Sequence, residues 1–251
     1  MPAKPYRRPQ SILPLPNGYC PGCLHATATK LIAEALDELG QTQNAINVLP
    51  VGCSSMGLLY WKVDMVCAAH GRAPAVATGI KRCRPDSLVF AYQGDGDLAA
   101  IGLSEILMAA DRGEHISIFF ANNSIYGMTG GQMAPTTLAG QKTTTCIFGR
   151  DPATAGWPLR MCEMIETLES PCYIARFALN SPAHVRQAKA GIVKSLRYQM
   201  ENRGFTFVEL LTNCPTSWHM TPLESLDFMT EHTMQYFPCR VFRDRGKEDG
   251  E

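Results

Sequence analysis

Runs of residues that are apolar almost throughout recur along this chain, and they constrain its fold more than any other feature. Ile46–Val51, Ser87–Tyr92, Ile116–Ala121, Cys172–Ala178 and Phe205–Leu211 lack the in–out alternation of a strand with one wet face. Strands of this kind are buried on both sides. Beside them the apolar period turns helical: Ala28, Leu31, Ile32, Ala35, Leu36 and Leu39 share one face, with Gly40 placed to stop the helix. Leu98–Arg112 reads as another helix ended by Gly113. Ser181 caps a long one that opens on Pro182 and runs to about Asn202, before Gly204. The alternation predicts an α/β fold, a doubly wound parallel sheet covered by helices on both faces.

The ends read differently. Residues 1–18 carry Pro2, Pro5, Pro9, Pro14 and Pro16 and are expected to form an extended arm lying on a partner. The domain proper is expected over residues 19–215. Residues 216–251 are expected to be a C-terminal extension for subunit contacts, with Arg243–Glu251 charged and frayed. Lys plus Arg equal Asp plus Glu at 23 each, a balance that points to neither nucleic acid nor a membrane surface as partner. No apolar run is long enough to span a bilayer, and the basic, Pro-rich start is unlike a secretion signal; a cytoplasmic location is expected.

Gly52-Cys53, Gly94-Asp95, Asn122-Asn123 and Cys214 each follow a predicted strand. In open α/β sheets ligands bind at the carboxyl ends of the strands, so these scattered motifs can converge. In Gly94-Asp95-Gly96-Asp97 the two glycines let the backbone turn sharply against an anion. A helix starting near Leu98 turns its free N–H groups toward that anion. Asp95 supplies a hard oxygen for Mg²⁺, to which Asn123 and a backbone carbonyl beyond it add others.

Ten cysteines are many for a reducing compartment. Cys67, Cys83, Cys146, Cys162, Cys172 and Cys239 read as small buried hydrophobes. Cys20, Cys23, Cys53 and Cys214 sit beside Gly or Pro in turn-like settings. Zinc would want a second close pair of ligands. A thioredoxin-like pair would use Cys20 and Cys23 and leave the others idle. A [4Fe–4S] cluster takes four thiolates. Spacing alone leaves the three open.

Gly94–Asp97 followed by Asn122-Asn123 resembles the thiamine-diphosphate motif. Further segments resemble the β subunits of the 2-oxoacid:ferredoxin oxidoreductases: Asn123–Gln132, Ala134–Thr137, His70–Gly79, Tyr19–Cys23 and Val51–Ser55. The likeness runs from about Cys20 to Cys214. It implies a thiamine-diphosphate-binding fold in which the Asp95 and Asn123 side chains and the Ile125 carbonyl bind Mg²⁺. Ser54, His70, Gly94, Gly96, Asp97, Gly127, Met128 and Thr129 would lie near the cofactor. Cys20, Cys23, Cys53 and Cys214 would hold a [4Fe–4S] cluster. The implied activity is CoA-dependent oxidative decarboxylation of a 2-oxoacid to acyl-CoA and CO₂, with electrons passed to ferredoxin. The implied partners are an α subunit, which brings the activating glutamate that this chain lacks, and γ/δ subunits, the latter ferredoxin-like.

His70 reads as a cofactor contact and His25 as a structural histidine. Arg72 reads equally as an anion anchor or a backbone brace. Trp218 and His219 read as shielding for the cluster. Met56, Leu58, Leu59, Met128 and Met133 surround the motif turns with no Lys or Arg among them. That favours an apolar, branched-chain acyl group over 2-oxoglutarate, as does the look of Thr129-Gly130-Gly131. Two other classes stay in view: a non-redox thiamine-diphosphate decarboxylase subunit without a cluster, and a zinc-stapled binding module in which Gly-Asp-Gly is only a turn.

Overall fold

The computed structural model describes residues 7–247. In chain order its main elements are α1 (His25–Glu38), β1 (Ala45–Leu49), β2 (Asp64–Cys67), α2 (Ala73–Cys83), β3 (Leu88–Gly94), α3 (Leu103–Asp111) and β4 (Ser117–Asn122). There follow β5 (Ile125–Tyr126), β6 (Gln132–Met133), α4 (Pro152–Ala155), α5 (Met161–Glu166), β7 (Tyr173–Ala178), α6 (Pro182–Met200) and β8 (Thr206–Leu211). The last are α7 (Pro215–Trp218), α8 (Pro222–Phe228) and β9 (Val241–Asp244). Seven strands form one sheet in the order β2-β1-β3-β4-β8-β7-β9, parallel except for β9; β5 and β6 form a separate small hairpin.

Alternate residues of the central strands feed two cores. On one face Phe90, Tyr92, Phe119, Val208 and Leu210 pack with Ile32 and Leu36 of α1 and Ile192 and Leu196 of α6. On the other Val89, Ala91, Ile118, Phe120 and Phe207 pack with Ala77 of α2, Ile106 of α3 and Ile165 of α5. Each large apolar side chain fully buried this way stabilises the fold by about 1.5–3 kcal/mol relative to exposure. The double covering explains the continuous apolar runs in the sequence. The Ser181 cap is in place, its side chain accepting from the His184 N–H at 3.2 Å.

Several expectations need correcting. Val241–Asp244 is no frayed tail: it pairs antiparallel with β7 as the edge strand. Residues 248–251 lie outside the described residues, as do residues 1–6 of the arm. The described part of the arm is held by its own domain, with Ser11 buried and the Leu13 N–H donating to the Tyr60 carbonyl at 2.7 Å. After residue 215 the chain packs back through Trp218, Met229 and Phe237 around Cys214. Cys67, Cys83 and Cys239 are exposed, Cys146 is half-buried, and only Cys162 and Cys172 are the buried hydrophobes expected. Cys67 ends the edge strand β2 and Cys83 ends α2, positions that no further layer covers. No helix among the described residues is long and apolar enough to cross a membrane.

Candidate functional site

β1, β3, β4 and β8 are adjacent and parallel, so the turns after them open on one rim of the sheet. Asp95 stands at its centre, 2% exposed. Its carboxylate accepts from the Gly96 N–H at 3.0 Å, the Ile125 N–H at 3.2 Å and the Thr136 hydroxyl at 2.7 Å. The Asn123 side-chain oxygen accepts from the same Ile125 N–H at 3.3 Å, so the two candidate metal ligands meet over one backbone amide. Burial raises the Asp95 carboxyl to about 6, against the lowering effect of its donors. Thr136 belongs to the Ala134–Thr137 segment that carries the resemblance, but its bond to Asp95, 41 residues away in sequence, was not foreseen.

The helix after this turn starts at Gly96 rather than near Leu98, and its first stretch, Gly96–Ile101, is wound as a π-helix that closes with the Gly102 N–H on the Asp97 carbonyl at 2.8 Å. Such widened turns are frequent at functional sites. The Tyr126 ring lies directly over Gly96, where an added Cβ would come within 2.2 Å of it. Only glycine allows this stacking.

Asp97 ties the rim together instead of presenting its carboxylate to a ligand. One oxygen accepts from the Val51 N–H at 3.2 Å and the Gly71 N–H at 2.9 Å and lies 2.6 Å from His70 Nδ1; the other accepts from Gln93 at 2.6 Å. Three segments are thereby tied to one carboxylate. His70 keeps a partly exposed ring edge at the site.

These residues enclose a cavity of about 120 Å³ lined by His70, Gly94, Asp95, Gly96, Asp97, Asn123, Ile125, Gly127, Met128 and Thr129, among others. Every residue expected near the cofactor or the Mg²⁺ therefore lines it except Ser54. Ser54 is buried, with its hydroxyl lacking a partner. Gln93, Ser124 and Thr212, also at the carboxyl ends of strands, carry orphaned polar atoms as well. Buried polar atoms are normally satisfied, and Asn47, Tyr60, Thr143 and Thr233 away from these turns carry such atoms as well.

A second, smaller cavity of about 60 Å³ adjoins it. All four singled-out cysteines, Cys20, Cys23, Cys53 and Cys214, line it. Among the described residues no group of three or more His, Cys, Asp or Glu side chains is drawn together to hold a metal ion. A Cβ on Gly127 would sit 3.2 Å from the Cys214 sulfur and 3.6 Å from that of Cys53, so the cofactor loop touches the thiols directly. Burial pushes the Cys23 thiol up to about 12 and Cys53 up to about 11, and raises Cys214. His25, Cys53, Asn123 and Gly127 line both cavities and form the wall between them.

Arg72 is a brace: its guanidinium pairs with Glu105. Trp218 is buried beside Cys214 and donates its indole N–H to the Asn123 carbonyl at 3.1 Å, whereas His219 is exposed. Of the residues read as an acyl pocket, only Met128 lines the cofactor cavity; Met56 lines the cysteine cavity and Leu58 and Leu59 are exposed. No Lys or Arg among the described residues lines the cofactor cavity.

Residues 50–210 match the family of the thiamine pyrophosphate enzymes' C-terminal TPP binding domain. The chain is 47% identical, over 97% of its length, to the ketoisovalerate oxidoreductase subunit VorA of Methanothermobacter thermautotrophicus, but covers 51% of that protein. It thus spans about half the length of the VorA relatives it matches. With the 2-oxoglutarate synthase subunit KorB of Methanocaldococcus jannaschii it shares 34% identity over 88% of this chain and 79% of that one. Among solved structures it is similar to a chain of the 2-oxoglutarate:ferredoxin oxidoreductase from Magnetococcus marinus, solved with 2-oxoglutarate, coenzyme A and succinyl-CoA bound. The TM-score is 0.79 and the identity 25%, covering 95% of this chain and 85% of that one. By sequence and fold, this chain belongs to the thiamine-diphosphate-binding subunits of the 2-oxoacid:ferredoxin oxidoreductases.

Proposed function

We propose that this chain is the subunit of a coenzyme A-dependent 2-oxoacid:ferredoxin oxidoreductase that grips thiamine diphosphate through Mg²⁺ and holds a [4Fe–4S] cluster. The observation that carries the reading is the pair of cavities sharing one wall, the first lined by the Gly-Asp-Gly and Asn-Asn turns, the second by four cysteines. Asp95 and Asn123 offer the hard oxygens that Mg²⁺ prefers, with the Ile125 carbonyl as a third. The cysteines fit a cluster better than zinc. A [4Fe–4S] cluster takes one thiolate at each of its four irons, and four thiols line this one cavity without the second close pair that zinc would want.

When bound, thiamine diphosphate supplies the electron sink for decarboxylation and the cluster a one-electron exit. The chain's own share is positioning. Gly94 and Gly96 bring backbone close to the diphosphate, Tyr126 caps Gly96, and Asp97 holds the rim rigid. His70, its Nδ1 engaged by Asp97, turns its other edge toward the cofactor, and Met128 and Thr129 border the cavity. Both acids lining it are engaged, Asp95 by three donors and Asp97 by partners from three segments, so the activating carboxylate comes from an α subunit. The remaining partners are γ and ferredoxin-like δ subunits, then ferredoxin itself, and the residues after 215 contribute to holding them.

A branched-chain 2-oxoacid is the favoured substrate, because the cavity wall carries Met128 and no cation to pair a second carboxylate. The 47% identity to a ketoisovalerate oxidoreductase subunit supports the same choice. The anaerobic complex should form acyl-CoA from 2-oxoisovalerate in preference to 2-oxoglutarate. A clear preference for 2-oxoglutarate would overturn the substrate assignment and leave the cofactor assignment standing.

A further inference from the structure

The wall between the two cavities contains one side chain with no part assigned so far, His25. It opens α1, is 2% exposed and lines both cavities. Tyr19 stacks on its ring, with centroids 5.4 Å apart and 18° between planes, and Tyr92 meets it edge-on. The Tyr92 hydroxyl lies 2.6 Å from His25 Nδ1.

The direction of that bond follows from Tyr92. It is 1% exposed, and its hydroxyl has no other hydrogen-bond partner among the described residues. Were Nδ1 the donor, the phenolic proton would be buried without an acceptor, at a cost of about 1–3 kcal/mol. Tyr92 therefore donates to Nδ1, and the ring carries its proton on Nε2. With Tyr19 over its face and Nδ1 taken by Tyr92, the Nε2–H is the one polar group this ring has left for the two cavities it lines.

We propose that the Nε2–H of His25 is a hydrogen-bond donor to the iron–sulfur cluster, fixed in that tautomer by Tyr92, and that it raises the cluster's reduction potential. The proposal rests on the cluster reading above. Each electron that enters a cluster adds negative charge, and an N–H aimed at its sulfur favours the reduced form. A neutral donor of this kind would make the cluster a better electron acceptor without adding a charge to the cofactor cavity.

The test is a redox titration of the anaerobically purified holocomplex, followed by the electron paramagnetic resonance signal of the reduced cluster. His25→Phe keeps an aromatic ring against Tyr19 and removes the N–H; it should retain wild-type iron, sulfide and thiamine diphosphate and shift the midpoint potential downward. His25→Gln returns a donor and should bring the potential back toward the wild-type value. Tyr92→Phe leaves His25 and all four thiols in place while releasing Nδ1, and should give a smaller shift in the same direction; it carries the test if His25→Phe fails to assemble. A fully loaded His25→Phe complex with the wild-type potential overturns the proposal. So does an unchanged potential with weakened thiamine-diphosphate retention, which would put the donor on the cofactor instead. A wild-type complex without iron and sulfide overturns the cluster reading itself, and composition reveals that before any titration.

Discussion

Two groups of buried polar side chains lie on one sheet, a strand or two apart, and only one of them is complete. In β7 and β8, Arg176 and Glu209 are both fully buried. Arg176 donates to Glu209 at 2.8 Å, to both oxygens of Glu163 at 2.6 and 3.0 Å, and to the Pro238 carbonyl at 3.2 Å. The second oxygen of Glu209 accepts from Asn122 at 2.8 Å. Burial opposes the charge on Arg176, but Glu209 and Glu163 more than offset it and hold the guanidinium pKa up. At the neighbouring rim, Ser54, Gln93, Ser124 and Thr212 have orphaned atoms and Asp95 has a raised pKa. The complete network holds structure, and the incomplete one lies where the cofactor is proposed to bind. Asn122 joins them, because its own side-chain oxygen accepts from the Ser124 N–H at 3.2 Å and shapes the turn that carries Asn123.

The difference can be broken first on the complete side. Arg176→Leu leaves Glu209 buried without its cation, which costs about 3–5 kcal/mol. For a chain of this size that lowers Tm by roughly 6–20 °C, to be read by calorimetry. A Tm within a degree of wild type would show that the network is dispensable.

The incomplete side should respond in the opposite sense. The Asp95 pKa is raised in the folded protein, from 3.8 to about 6. Its contribution to stability is therefore fully present below the unfolded value near 4 and is lost as pH rises through 6. The ligand-free protein should lose about 3 kcal/mol over that window, and thiamine diphosphate with Mg²⁺ should restore it. Asp95→Asn should flatten the pH dependence, leave the ligand-free fold no less stable at pH 7, and abolish cofactor retention. Urea denaturation from pH 4 to 8 checks this, and a steep window persisting in Asp95→Asn would assign it to another group.

Gly96→Ala puts a methyl into the Tyr126 ring. Overpacking of this kind costs about 1–3 kcal/mol, here expected as a roughly five- to 150-fold weaker Kd for thiamine diphosphate, measurable by titration calorimetry. Arg72→Met should do least. It loses a half-exposed ion pair worth at most about 1 kcal/mol and should leave the cofactor Kd unchanged. A large loss of cofactor affinity would restore Arg72 as an anion anchor.

What the sequence disclosed follows the range of the interactions. The doubly covered strands and the Ser181 cap are written in local patterns and were legible. So were the strand-end motifs, because a strand followed by Gly-Asp-Gly fixes where the turn must lie. β9 was not legible: Val241–Asp244 mixes apolar and charged residues and is a strand only because β7 offers an edge. That Asp97 also ties the rim together was not legible for a related reason, since its partners Val51, His70, Gly71 and Gln93 are brought to it by three separate segments. Arg176 gave no signal at all; a lone cation within an apolar run acquires its meaning only across β8 and α5.

The most direct test of the central claim is to purify the native complex anaerobically and assay iron, sulfide, zinc and thiamine diphosphate on the same sample. The account predicts iron, sulfide and thiamine diphosphate together, without stoichiometric zinc. Thiamine diphosphate without iron would contradict the cluster and point to a non-redox decarboxylase, and zinc without thiamine diphosphate would contradict the whole reading of the site.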